Sequence, residues 1–280
     1  MDKLLINGGK KLKGIIDISG SKNAALPIIV AAGILGQSKS IITNVPHLTD
    51  VKMLCSLLEK LGAKTHLDNN QLTIEPIDQT SYEAPYDLVR KMRASIYVLG
   101  PLLARMGRAK VSFPGGCAIG PRPIDLHLEG LKRLGAKIEV LGGYIDAHAD
   151  ILQGTDVYLK GIFGASVGAT ANVMMAATLG QGTTTIRPAA CEPHITDLAR
   201  FLIKMGASIE GVGTTELKIH GVNSLNGTHH SVSSDDIETG TFMVAAAMTK
   251  GDLFLKGANR AQVQAVTEKL VQIGVKMSWQ

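Results

Sequence analysis

The sequence predicts an α/β fold of an inverted, inside-out kind: an α/β barrel of βαβαββ repeats with helices at the centre and strands around them, one complete three-repeat domain plus an incomplete second domain. Three observations carry this. Glycines at positions 62, 135, 206 and 274 close four similar segments, Leu58-Glu59-Lys60-Leu61-Gly62-Ala63-Lys64, Leu131-Lys132-Arg133-Leu134-Gly135-Ala136-Lys137, Leu202-Ile203-Lys204-Met205-Gly206-Ala207-Ser208 and Leu270-Val271-Gln272-Ile273-Gly274-Val275-Lys276. Such near-periodic self-similarity marks a repeated supersecondary unit, with each glycine at a helix C-terminus where the chain must turn left-handed into a strand. Upstream of each glycine lies a second helix, apolar nearly all round and rich in Ala, the signature of a helix buried on every side. Between the helices run alternating stretches that read as strands with one wet face.

Taken in order, the amino-terminal strands Leu4-Leu5-Ile6 and Ile15 to Ser19 belong to the second domain. The first unit has a buried helix from Asn23 to Leu35, a strand from Lys39 to Val45, an amphipathic helix from Val51 to Leu61 and a hairpin from His66 to Pro76. The second repeats this with a buried helix from Arg93 to Met106, a strand from Ala109 to Phe113, an amphipathic helix from Ile124 to Leu134 and a hairpin from Lys137 to Ala149. The third has its buried helix from Gly168 to Leu179 and a strand from Thr183 to Pro188, and His229 and His230 read as loop residues after it. The complete domain is thus expected over 22–229, with 1–21 and 230–280 forming the incomplete one. In the fourth unit a buried helix from Gly240 to Met248 and a strand from Asp252 to Lys256 are expected. After Gly274 come only Val275-Lys276-Met277-Ser278-Trp279-Gln280, within the first strand of the expected hairpin, which predicts a shortened version of a longer protein.

Composition fits a globular protein: 280 residues, 45% hydrophobic but only 4% aromatic, so the interior is built from small and aliphatic side chains. Three widely spaced cysteines, Cys55, Cys117 and Cys191, give neither a disulfide framework nor metal-ligand spacing, and a reducing cytosol fits best. No metal or cofactor is implied. No secretory signal is visible, and the longest apolar run, Ala24 to Leu35, is too short to span a bilayer, so no membrane association is expected. A net charge of +5 comes from scattered basic residues without an aromatic platform, which argues against nucleic acid and suits small anionic substrates.

Chemistry is expected first at Cys117, within Pro114-Gly115-Gly116-Cys117-Ala118-Ile119-Gly120-Pro121-Arg122-Pro123. Glycines there permit close backbone approach to a ligand, and a neighbouring cation favours the thiolate; a plain strand-to-helix turn is the competing reading. The buried helices begin at Gly20-Ser21-Lys22-Asn23, Arg90-Lys91-Met92-Arg93 and Ser166-Val167-Gly168-Ala169-Thr170. If the units are related by rotation, these N-termini concentrate unpaired N–H groups, to which Lys22, Arg93 and Arg122 add full charges, making an anion site. The Ser166–Thr170 turn suits a diphosphate through its backbone donors. Cys55 reads as a core residue, Cys191 as a thiol preceding a helix but without a glycine loop, and His127 as facing either ligand or solvent.

On the motifs Gly20-Ser21-Lys22-Asn23-Ala24, Met92-Arg93-Ala94-Ser95, the Cys117 loop, Arg122-Pro123-Ile124-Asp125-Leu126-His127, Ser166-Val167-Gly168-Ala169-Thr170 and Ile237-Glu238-Thr239-Gly240-Thr241-Phe242, the sequence resembles the bacterial UDP-N-acetylglucosamine 1-carboxyvinyltransferases over essentially its whole length. The resemblance implies an EPSP synthase-like fold of two inverted α/β domains of three units each. It also implies transfer of the enolpyruvyl group of phosphoenolpyruvate to the 3'-hydroxyl of UDP-N-acetylglucosamine, the first committed step of peptidoglycan synthesis. Cys117 is then the proton donor to the methylene carbon and can form a covalent phosphoenolpyruvate adduct. Lys22, Asn23 and Arg122 are implied to hold phosphoenolpyruvate. Asn23, Arg93, Arg122, Pro123, Ile124, Asp125, Leu126, His127, Ser166, Val167 and Gly168 are implied to hold the nucleotide sugar.

Cys191, His194, Asp236, Gly164 and Ala165 depart from the family pattern, and the family's carboxylate near the sugar hydroxyl and further arginines lie beyond residue 280. The alternative reading is a non-catalytic form that binds nucleotide sugar or a partner chain, with self-association through the incomplete second domain. The related shikimate-pathway enzymes match the cysteine loop less well.

Overall fold

Three four-stranded sheets of one pattern dominate the computed structural model, which describes residues 3–78, 81–90, 92–113, 115, 123–162 and 164–280. Strand β1 (Lys13–Asp17) precedes the first repeat, which consists of α1 (Lys22–Ile34), β2 (Ser40–Thr43), α2 (Thr49–Leu61), β3 (Lys64–Asp68) and β4 (Gln71–Glu75). The second has β5 (Glu83–Ala84), α3 (Tyr86–Val89), a 3-10 segment Arg93–Val98 running into α4 (Leu99–Met106), β6 (Arg108–Ser112), α5 (Asp125–Arg133), β7 (Lys137–Leu141) and β8 (Tyr144–His148). The third has β9 (Asp156–Val157), a small hairpin of β10 (Lys160–Gly161) and β11 (Gly164–Ala165), α6 (Val167–Ala177), β12 (Thr183–Ile186), α7 (Pro193–Met205), β13 (Ser208–Glu210) and β14 (Leu217–His220), followed by β15 (His229–Ser231). Last come α8 (Asp236–Thr249), β16 (Asp252–Lys256), a 3-10 turn Arg260–Val263 and α9 (Gln264–Gln272).

In each sheet the repeat's own three strands are antiparallel neighbours, and a fourth strand from elsewhere adds parallel to the first of them. The orders are β15-β2-β4-β3, β5-β6-β8-β7 and β9-β12-β14-β13. The parallel strand follows the hairpin of the preceding repeat each time: β5 follows β4, β9 follows β8, and β15 follows β14 and joins the sheet of the first repeat. This cyclic exchange joins the three sheets into a ring around the helices, as the repeat pattern predicts. The chain divides into two units, Lys22–Ser233 and, apart from it, Met1–Ser21 with Ser234–Gln280.

Inside the ring α1 is buried from Ala24 to Ile34 and α6 from Ala169 to Ala177. Close approach depends on glycines whose missing side chains leave room. A Cβ on Gly33 would lie 2.9 Å from Leu58, and one on Gly130 2.4 Å from Val173. The outer helices α2 and α7 bury one stripe each and end at Gly62 and Gly206, where positive φ and bonds back to the last turn form the predicted caps.

Several sequence expectations are corrected. The helix expected from Arg93 starts as 3-10 helix, because the Ser95 hydroxyl bonds back to the carbonyls of Val89 and Met92 and tightens the turn. His229 and His230 are strand, not loop: β15 pairs in parallel with β2. Leu4-Leu5-Ile6 forms no strand and is exposed, having no ladder partner among the described residues. The fourth apolar helix is not buried all round: α8 packs against β16, the Arg260–Val263 turn and α9, and leaves Ile237, Val244 and Met248 exposed, the last at 80%. In the same unit β1 and β16 pair in parallel, and Val275, Met277 and Trp279 alternate inward onto Met243, Val263 and Leu270 without joining a ladder.

The ring closure carries a buried polar clamp. Asp197 on α7 accepts from His230 Nε2 at 3.0 Å and from the Ser233 amide at 2.9 Å, while Phe201 packs edge-on against the His230 ring. Burial pushes the Asp197 carboxyl up, but the bonds from His230 and Ser233 outweigh it and hold the carboxyl below its ordinary value. Its stabilising contribution is therefore present above the unfolded carboxylate pKa and lost as the pH falls through the lower folded value. Asp197→Ala is expected to destabilise the chain by about 3 kcal/mol at neutral pH, since it strands a buried imidazole and an amide. Urea unfolding followed by circular dichroism checks this, and a loss under about 1 kcal/mol would mean the clamp is not what holds β15 in place.

Candidate active site

The hairpin β10–β11 delivers the chain to Ser166, whose amide donates to the Leu159 carbonyl at 2.9 Å. Ser166 is extended, and its Oγ accepts from the Ala169 amide at 3.3 Å, so it caps α6 as a serine in this position should. That bond uses one first-turn donor and leaves the amides of Val167 and Gly168 at the positive end of the helix.

His127, the third residue of α5, packs against this first turn. It is 3% exposed, and a Cβ on Gly168 would stand 2.7 Å from its Nε2, so only glycine lets the ring lie there. On the other side its Nδ1 lies 3.1 Å from Asn172 Nδ2. Asn172 is fully buried within α6 and reaches the second repeat: its Oδ1 accepts from the Gly100 amide at 2.7 Å and its Nδ2 donates to the Ile96 carbonyl at 2.9 Å. Burial, with the nearby positive charge of Arg93, pushes the imidazole down from 6.5 to about 4, so it is neutral at physiological pH.

Arg93 opens the 3-10 segment, half-buried, and α1 packs against the same segment. At the start of α1, Lys22 lies 3.2 Å from Asp50 on the first turn of α2, with both side chains partly in water, and Asn23 follows it, half-buried. Helix amides, a neutral imidazole and the Arg93 cation make the N-terminal end of α6 suited to an anionic ligand.

The structure thus brings together Arg93, His127, Ser166, Val167 and Gly168, and resolves the orientation of His127 as inward. Leu126 packs toward the β10–β11 hairpin at Gly161, Ile124 is buried, and Pro123 and Asp125 are exposed. Cys117 and Arg122 lie outside the described residues. Cys55 is a core thiol that burial pushes up to about 11. Cys191 is exposed, its thiol raised by partial burial and by Glu192, which opposes a reactive thiolate. The motifs do not point to Asn172 or Asp50; the signal for Asn172 is a lone amide inside an otherwise apolar helix. A groove of about 400 Å³ along the outer face of α5, past Asp125, Glu129, Lys132 and Arg133, carries both signs of charge and lies on the opposite side of the helix from His127.

A family model described as EPSP synthase (3-phosphoshikimate 1-carboxyvinyltransferase) matches residues 6–280. A UDP-N-acetylglucosamine 1-carboxyvinyltransferase of Methylacidiphilum infernorum is 52% identical over 277 residues, covering 99% of this chain and 65% of the relative. One of Shewanella woodyi is 51% identical over 280 residues, covering 99% and 66%. The chain therefore spans about two thirds of the length of these curated relatives. Among solved structures, the enolpyruvyl transferase NikO of Streptomyces tendae superposes with a TM-score of 0.74 at 26% identity, over 85% of this chain and 56% of that one. EPSP synthase of Acinetobacter baumannii gives 0.74 at 21% identity, over 95% and 60%, a likeness of fold.

The neutral imidazole has a pH signature. Native His127 takes a proton only near pH 4, whereas the unfolded chain takes it near 6.5, so stability is undiminished above 6.5 and falls as the pH drops from 6.5 to 4. Across that interval the wild-type chain is expected to lose about 3 kcal/mol more than His127→Gln, read from urea midpoints at each pH. Parallel curves for the two would mean that the ring titrates freely.

Proposed function

We propose, on the premise that this chain belongs to the EPSP synthase family, that it takes part in transfer of the enolpyruvyl group from phosphoenolpyruvate to the 3'-hydroxyl of UDP-N-acetylglucosamine, releasing phosphate, in peptidoglycan synthesis in the cytoplasm. The observation that carries this reading is the convergence of Arg93, His127 and the Ser166–Gly168 turn at one helix N-terminus, each from a motif of the nucleotide-sugar branch.

In this reading the first-turn amides of α6 and the His127 Nε2–H meet the diphosphate, whose oxygens accept from donors arranged before the ligand arrives. Arg93, with the segment from Arg122 through Leu126, holds the rest of the nucleotide sugar. Lys22, Asn23 and Arg122 hold phosphoenolpyruvate and offset its charge. The chemical step is addition and elimination. Cys117 gives a proton to the methylene carbon as the sugar hydroxyl oxygen bonds to the adjacent carbon and loses its own proton. Loss of a proton from the new methyl group then expels phosphate and restores the double bond. A thiol suits the first transfer because its pKa is tunable toward neutrality, and the same sulfur can instead bond to that carbon as an adduct.

Phosphate release is expected when the chain is mixed with both substrates, and Cys117→Ser should lower it at least a hundredfold, in line with the contribution of a general acid, while calorimetry still detects UDP-N-acetylglucosamine binding. Binding without release in the wild-type chain would remove the transfer step from this reading, and no heat with UDP-N-acetylglucosamine would remove the whole of it.

A further inference from the structure

We infer that Asn172 is a positioning residue of this site, fixing His127 in the tautomer that carries its proton on Nε2 and presenting that N–H to the first turn of α6. The inference deepens the functional reading above and rests on it only for the ligand that the N–H meets.

Hydrogen-bond roles fix the tautomer. A backbone N–H can only donate and a carbonyl can only accept. Gly100 N–H at 2.7 Å therefore requires the oxygen of the Asn172 amide on its side, and the Ile96 carbonyl at 2.9 Å requires the nitrogen on the other. With the amide orientation fixed by these two bonds, the second hydrogen of Nδ2 is the one that faces His127 Nδ1 at 3.1 Å. Nδ1 must then offer its lone pair, and a neutral imidazole with an accepting Nδ1 carries its proton on Nε2. The opposite tautomer would set two N–H groups against each other in a fully buried place, where an unsatisfied donor is costly.

Neither group has room to rearrange. A Cβ on Gly100 would lie 2.3 Å from Asn172 Oδ1, so the amide is seated against bare backbone, and Gly168 gives the ring the same closeness at Nε2. Among the described residues Nε2 has no hydrogen-bond partner, although the ring is almost wholly buried. A phosphate oxygen accepts and never donates, so an Nε2 lone pair in this position would repel it where an Nε2–H attracts it. Asn172 thereby decides the sign of the contact without touching the ligand.

The test is nitrogen NMR of the full chain labelled at histidine, with the His127 signals assigned by their loss in His127→Gln. The wild-type chain should show the proton on Nε2. In Asn172→Asp a carboxylate, which only accepts, faces Nδ1, so the proton should move to Nδ1, and affinity for UDP-N-acetylglucosamine by calorimetry should fall about tenfold or more. A wild-type proton on Nδ1 overturns the inference, and that spectrum decides it even if the variant does not fold. An unmoved proton in Asn172→Asp also overturns it, as does a moved proton with unchanged affinity. A wild-type chain that binds no UDP-N-acetylglucosamine sinks the functional reading instead, and the tautomer then stands or falls on the spectra alone.

Discussion

The inner helices of the larger unit present no face to water, and this constraint governs the rest of that unit. A helix surrounded by other elements cannot use charged side chains to mark an outside, so α1 and α6 are built from Ala, Ile, Val, Met and Gly. Their spacing is set by absent side chains: methyl groups at Gly33, Gly100 or Gly130 would each meet a neighbour at under 3 Å. Forcing one in costs typically 1–3 kcal/mol, and more where the neighbour is backbone. The arrangement of the sheets follows, because buried helices need cover, and the three four-stranded sheets, each extended by one of β5, β9 and β15, supply it.

The same constraint restricts where polar groups stand. Inside such a core an unpaired polar group is costly, and several buried polar side chains stand in linked sets: Asn172 with Gly100, Ile96 and His127, and Asp197 with His230 and the Ser233 amide. At the N-terminal end of α6 the first-turn amides cannot be satisfied from within the helix. The candidate site stands at the end where a helix must look outside itself for acceptors, and His127 and Arg93 are its neighbours there.

What was legible in the sequence follows from how local each cause is. A helix C-cap is decided within a few residues, so Gly62, Gly135, Gly206 and Gly274 announce the repeats, and all four have positive φ. The parallel strands β5 and β9 are two residues long and β15 pairs with a strand far away in sequence, so no local pattern marks them, and His229-His230 reads as loop. An apolar pattern states what a helix can bury, not whether neighbours exist to bury it. Hence the pattern of α8 resembles that of α1 while its Met248 stays exposed. At the site, motifs point to Arg93, His127 and the Ser166 turn, whereas Asn172 depends on contacts between two repeats that no single segment contains.

Burial also separates the polar contacts that fix the fold from those at its surface. Asp197 and His230 are both buried, so parting them would strand a charge or a donor in the core, and no ligand competes for them. Lys22 and Asp50 pair in partial contact with water, where such a bond contributes at most about 1 kcal/mol. By itself the Lys22–Asp50 contact therefore adds little to the stability of the fold. At His127 depth acts differently: burial first, and then the nearby charge of Arg93, disfavour a positive charge on the ring and keep the imidazole neutral. The half-exposed Lys22–Asp50 pair and the buried, neutral His127 thus differ because of their depth in the core.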